Sequence, residues 1–206
     1  MARLVDYPRR TALLDRVVQY LGQHGLVDVS FRPMAKSIGV SVNALVHHFG
    51  TKDDLLAAAM RRSVQIQQDL EAGWFDRRPA MTPSDLLRSW WKWTLASESN
   101  LAVIRLSIEA AAHVPTALHR EPADRRHALP PSQRPDIEPH LLARGVPPNV
   151  ATTEATLARA VFQGLVIDFV AHGNKSRLTR ALDVHLAHLD QVIAQSALGT
   201  QSLGTQ

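Results

Sequence analysis

The sequence predicts an all-α protein of about nine helices, with a three-helix helix-turn-helix segment at the N-terminus and a larger helical region after it. Two observations predict this. Apolar residues recur at helical spacing along nearly the whole chain, with no sustained alternation of the kind a half-buried strand needs. The stretch Met34 to Leu56, MAKSIGVSVNALVHHFGTKDDLL, spaces small, apolar and polar residues as two short crossing helices require.

The first helix is expected from Arg9 to His24, where Leu13, Leu14, Val17, Val18 and Leu21 form one amphipathic stripe and Gly25 supplies a C-terminal cap. The second and third follow within Met34 to Leu56. Two helices crossing steeply need a small residue at the overlap, a turn residue tolerant of positive φ and apolar locks, and Ala35, Gly39 and Leu45 stand at those places. Met34, Ile38 and Val40 complete the apolar seam. Ser30 is expected to cap the second helix, with Pro33 in its first turn where a missing N–H is harmless, and Ser41 to cap the third. That third helix, roughly Val42 to His48, is too short to be stable alone and presents Val42, Asn43, His47 and His48 outward. A short polar-faced helix held rigidly outward suits the major groove of DNA.

Charge points the same way. Residues 1–62 hold nine basic and five acidic side chains, while the remainder holds 14 of each, so the whole formal net charge of +4 lies in the segment expected to meet phosphate.

After Gly39 come Val40-Ser41, then Leu45, His48-Phe49, Lys52 and Leu55-Leu56. This series resembles the TetR family of bacterial transcriptional regulators over about the first 60 residues. The resemblance implies a DNA-binding domain over 1–50, with Arg9, Arg10, Ser30, Arg32, Ser41, Val42, Asn43, His47, His48, Thr51 and Lys52 at the DNA, and an effector-binding and dimerisation domain over 51–196. Where the family most often has Gly-Thr this chain has Asn43-Ala44, and where it usually has a phosphate-touching Tyr it has Val46. Either phosphate anchoring shifts to His47, His48, Thr51 and Lys52, or the chain binds DNA less tightly than a typical member.

Lys52 opens a long fourth helix carrying Leu55, Leu56, Ala59, Met60 and Val64 on one side, with Asp53 and Asp54 where the helix dipole favours them. The segment Arg77 to Pro83 breaks it. Helix resumes near Ser84 with Leu86, Leu87, Trp90, Trp91 and Trp93, three of the chain's four tryptophans within four residues. Trp90 and Trp93 share a face. They read either as bulky core or as one wall of an apolar effector pocket, with Phe162 and Phe169 as further aromatic candidates. The next helix, about Asn100 to His113, spaces Arg105, Glu109 and His113 along one side. These are an ordinary surface ion pair with a neighbour, or the polar end of that pocket.

His113 to Pro139 contains six of the 12 prolines and four arginines, so it is expected as a mobile loop with at most short helical turns. Two helices follow, about Asn149 to His172 and Lys175 to Ser196, split by Gly173-Asn174. In TetR-like proteins the last two helices form a four-helix bundle with a second copy. That implies a homodimer interface through Val161, Gly164, Leu165, Leu178, Leu182, His185 and Leu189, and two readers about 34–36 Å apart on a palindromic operator. The tail over 197–206 repeats LGTQ without a core pattern and is expected to be disordered.

The chain has no Cys, which excludes disulfides and thiolate chemistry. No run of about 18 apolar residues occurs and Met1 to Arg10 is polar, so no membrane span or secretory signal is expected and the location is expected to be cytoplasmic. His185 with His188, and His113 with His119, have spacings at which a ligand pair is conceivable, but no convergent cluster accompanies them, so no metal or other cofactor is expected. No G-x-S-x-G, phosphate loop or H-E-x-x-H occurs, and no catalytic residue is nominated. The expected function is a homodimeric DNA-binding transcriptional regulator, a repressor released from a palindromic double-stranded DNA operator by a small, largely apolar effector. The alternative is an all-helical binding protein or enzyme without sequence-specific DNA binding.

Overall fold

A computed structural model describes residues 7–112 and 136–202. Among the described residues there are nine α-helices and no strand: α1 (Tyr7–His24), α2 (Phe31–Ser37), α3 (Val42–Phe49), α4 (Lys52–Arg77), α5 (Pro83–Thr94), α6 (Glu98–Ala112), α7 (Glu138–Leu142), α8 (Pro148–His172) and α9 (Lys175–Ser202). Among the described residues they divide into two compact units, 7–73 with 94–112 and 74–93 with 136–202.

The first unit joins the three N-terminal helices to most of α4 and to α6. The α1 stripe of Leu13, Leu14, Val17, Val18 and Leu21 is buried as its spacing predicts. α1 packs against α6 with the backbones touching. A Cβ on Gly22 would lie 2.1 Å from the carbonyl oxygen of Ala102, so no larger residue fits that crossing. α4 is tied to α1 by Arg62, whose Nε and Nη2 donate to the two carboxylate oxygens of Asp15 at 2.6 and 3.2 Å. α4 meets α6 through a buried polar group. The Ser63 hydroxyl donates to the Val103 carbonyl at 3.1 Å and Gln67 Nε2 donates to Ser107 Oγ at 2.5 Å. Satisfied polar groups of this kind fix one relative placement of two helices, because leaving one unpaired costs about 1–3 kcal/mol.

The second unit is built on the α8–α9 hairpin, which turns at Gly173 in the left-handed conformation (φ +70°) with Asn174 capping α9 through Arg177 N–H. Its core is made by Ala151, Ala155, Ala158, Phe162 and Val166 of α8 with Leu178, Leu182, Leu186 and Leu189 of α9. α5 adds Leu86, Leu87, Trp90 and Trp91. Side-chain links hold α5 to α9: Ser84 Oγ donates to Asp190 at 2.5 Å, Trp91 Nε1 donates to Thr179 Oγ1 at 2.9 Å and Arg88 pairs with Asp183.

Two expectations need adjustment. The Pro-rich loop expected through Pro139 gives way to helix at Glu138, because Pro139 sits in the first turn of α7, where its missing N–H has no partner to lose. Most of that loop lies outside the described residues. α9 continues to Ser202, beyond the Ser196 end expected and into the tail expected to be disordered, since each residue added to an existing helix gains a hydrogen bond without a new nucleus. Residues 203–206 lie outside the described residues.

Candidate nucleic-acid interface

The helix-turn-helix is assembled as its residue types require. Met34, Ala35, Ile38, Leu45 and Phe49 are buried between α2, α3 and α1. Gly39 sits at φ +69° with open space around it, so the turn needs glycine for its backbone angle and not for clearance. Ser41 caps α3 by accepting the Ala44 N–H at 3.1 Å. Ser30 stands at the N-cap of α2 but its side chain makes no cap hydrogen bond; its carbonyl accepts Met34 N–H instead. The hydroxyl is exposed at the start of α2.

Leu45 and Phe49 bury one side of α3 and thereby aim the other. Asn43 and His47 are exposed on the far side, Val46 is 47% exposed beside them, and Val42 and His48 are half-buried at the edges. The His47 and His48 rings meet edge-on, 5.3 Å apart, so the two imidazoles support each other's placement. At the start of α4, Thr51 and Asp54 form a reciprocal cap. Thr51 Oγ1 accepts Asp54 N–H at 3.2 Å while Asp54 Oδ2 accepts Thr51 N–H at 3.1 Å and the Thr51 hydroxyl at 2.6 Å. Thr51 therefore gives its side chain first to the helix start. Lys52 is exposed one residue on, next to the end of α3.

Two arginines of α1 brace the reader from behind. Arg10 lies over the Phe49 ring at 5.2 Å and its Nε donates to the His48 carbonyl at 3.4 Å; Arg16 Nη1 donates to the Ile38 carbonyl in the turn at 2.8 Å. A cation at a helix C-terminus meets carbonyls that have no intrahelical partner, so both contacts hold α2 and α3 in place. Arg10 was expected at the DNA. Arg16 was missed, because nothing in its local sequence separates it from a solvated arginine. Arg9 and Arg32 are exposed.

The other expected residues fall as follows. Trp90 and Phe162 are buried, Trp93 and Phe169 half-buried, all in the second unit. There Trp74, Trp90 and Trp93 meet edge-to-face at 5.1 and 5.7 Å and Trp91 meets Phe162 at 6.2 Å. Arg105 and Glu109 belong to the first unit, where Glu109 Oε2 accepts the Leu26 N–H at 2.9 Å just beyond the end of α1. His113 lies outside the described residues. Of the expected interface residues, Leu178, Leu182 and Leu189 are buried within the chain and Gly164 is exposed, with Val161, Leu165 and His185 between these extremes. The three leucines form the inner face of the hairpin, and the outer face is apolar elsewhere: Leu157, Ile167, Val170 and Val184 are exposed.

Residues 13–59 match the model of "Bacterial regulatory proteins, tetR family", and this stretch is the α1–α4 segment just described. This N-terminal segment is a TetR-family helix-turn-helix domain. It is 40% identical over 65 residues to the HTH-type transcriptional regulator BetI of Brucella anthropi, covering 31% of this chain and 34% of that protein. It is 38% identical over 58 residues to BetI of Stenotrophomonas maltophilia, covering 28% and 30%. The chain thus matches about a third of the length of these relatives, all within the TetR helix-turn-helix. A crystal structure of a transcriptional regulator from Rhodococcus sp. Rha1 is similar over 89% of this chain and 96% of that one, with a TM-score of 0.67 and 25% identity. The likeness in fold to that transcriptional regulator therefore extends beyond the N-terminal segment, though not in close sequence.

Proposed function

We propose that this chain is a homodimeric, DNA-binding transcriptional regulator of the TetR family, a repressor released from a palindromic operator by a small, largely apolar effector. The observation that carries the proposal is the rigid outward presentation of Asn43, Val46 and His47 by a helix fixed on its other side through Leu45, Phe49, Arg10 and Arg16. Such a helix, in a segment holding all the net charge, is matched to a major groove between two phosphate chains.

The dimer reading is supported by the outer face of the hairpin. Leu157, Ala160, Gly164 and Ile167 recur along one exposed side of α8, with Val184 on α9. Small residues flanked by larger apolar ones allow helices of a second copy to approach closely. α8 is also long and apolar enough to cross a membrane. We read it as an interface helix because Glu154, Arg159 and Asp168 interrupt it, and such charges are costly in hydrocarbon. A cytoplasmic location follows from the same reading.

The effector site is assigned to the aromatic group Trp90, Trp93, Phe162 and Phe169 of the second unit. Release requires the effector to bind the DNA-incompetent state more tightly than the competent one. The test is a mobility-shift titration with the DNA flanking the protein's own gene. Sequence-specific retardation, lost in His47→Ala and Lys52→Ala, is expected; equal retardation of unrelated DNA would overturn the proposal.

A further inference from the structure

We infer that Asn43 and Val46 together read adenine and thymine in the operator, Asn43 through the adenine edge and Val46 through the thymine 5-methyl group; the inference rests on the DNA-binding reading above. The Val46 isopropyl group offers no hydrogen bond and gains nothing from a phosphate oxygen. Yet Val46 is not tucked into the core: it is 47% exposed, while its neighbours Leu45 and Phe49 take the buried side.

Position decides what such a side chain meets. Asn43 and Val46 are three residues apart, about 60° around the helix axis, so they are neighbours on one surface of α3. Asn43 is exposed in the first turn, the part of a recognition helix that reaches base edges. In the major groove the apolar feature of a base pair is the thymine methyl, and the group matched to a carboxamide is the adenine N6–N7 edge, which accepts and donates one hydrogen bond each. An apolar side chain beside a carboxamide on the reading surface therefore selects A·T over G·C at the steps they cover. His47 lies next to both and, with Lys52, is left for hydrogen bonding to guanine or phosphate.

The experiment has two stages. The purified full chain selects bound duplexes from a random pool, and the enriched site is then resynthesised with deoxyuridine replacing each thymine in turn, which removes only the methyl group. One thymine in each half-site is expected to weaken binding by about fourfold when demethylated, the worth of one buried methyl group. Val46→Ala is expected to bind the thymine and uracil sites alike, and Val46→Thr, which keeps a methyl, to retain the difference. Asn43→Ala is expected to lose preference for adenine by at least tenfold at one position. Enrichment of a defined site with no methyl dependence, or with the same dependence in Val46→Ala, overturns the inference and leaves the DNA-binding reading standing. A pool that yields no enriched site overturns both.

Discussion

Arg16 illustrates how one side chain turns a surface helix into a brace. Its hydrogen bond to the Ile38 carbonyl holds the turn between α2 and α3 at the point where Gly39 reverses the chain. Arg16→Ala is expected to destabilise the protein by about 1 kcal/mol and to weaken operator binding, with Arg16→Lys recovering part of both. The salt dependence separates this role from a phosphate contact: the slope of log K against log salt should be unchanged in Arg16→Ala and reduced by about 1 in Lys52→Ala. Gly39→Ala forces a Cβ into a left-handed backbone and is expected to cost about 1–2 kcal/mol, read as a fall of about 2–4 °C in Tm per kcal/mol. His185 gives a pH signature. Burial lowers its pKa below the ordinary 6.5, opposed by Glu154 and assisted by His188, which itself lies 3.3 Å from Glu154. A lowered imidazole pKa means that the unfolded chain binds more protons, so this contribution is complete above 6.5 and declines as pH falls below it. In urea titrations His185→Gln is expected to lose stability less steeply than the parent on acidification from pH 7 to 5.

At the scale of elements, α1 is the piece on which the first unit is organised. It carries Arg10 and Arg16 toward the reader, Asp15 toward Arg62 of α4 and Gly22 toward α6, and just beyond its end the Leu26 N–H meets Glu109 of α6. Gly22→Ala places a Cβ against the Ala102 carbonyl and is expected to cost about 1–3 kcal/mol or more by overpacking, visible as a lower Tm in circular dichroism. The helices and the reader itself were legible because their signals are local: the Leu13–Leu21 stripe, the Ser41 cap and the Ala35, Gly39 and Leu45 spacing all act within one or two turns. The brace was not. Leu26 and Glu109 are 83 residues apart, and no local pattern marks an α6 carboxylate as the partner of a backbone group just after α1. Likewise an α9 leucine stripe announces burial without saying by what, and Leu178, Leu182 and Leu189 turn out to face inward.

At the scale of the whole molecule, the proposed repressor acts as two copies, because one reader covers only half of a palindrome. Ile167 and Gly164 lie on the exposed side of α8. Ile167→Glu is expected to yield a monomer in sedimentation velocity that keeps its helical circular dichroism and loses high-affinity operator binding; a dimer undisturbed by Ile167→Glu and Gly164→Arg together would place the interface elsewhere. The claim beneath all of this is that α3 reads sequence. Its most direct measurement is a fluorescence-anisotropy titration of the full chain against the DNA flanking its gene and against a shuffled duplex of the same composition, at matched salt. Binding at least a thousandfold tighter to the native duplex is expected, on the order seen for specific over non-specific complexes, and lost in His47→Ala. Equal affinity for both duplexes, or no binding to either, would overturn the reading role of α3.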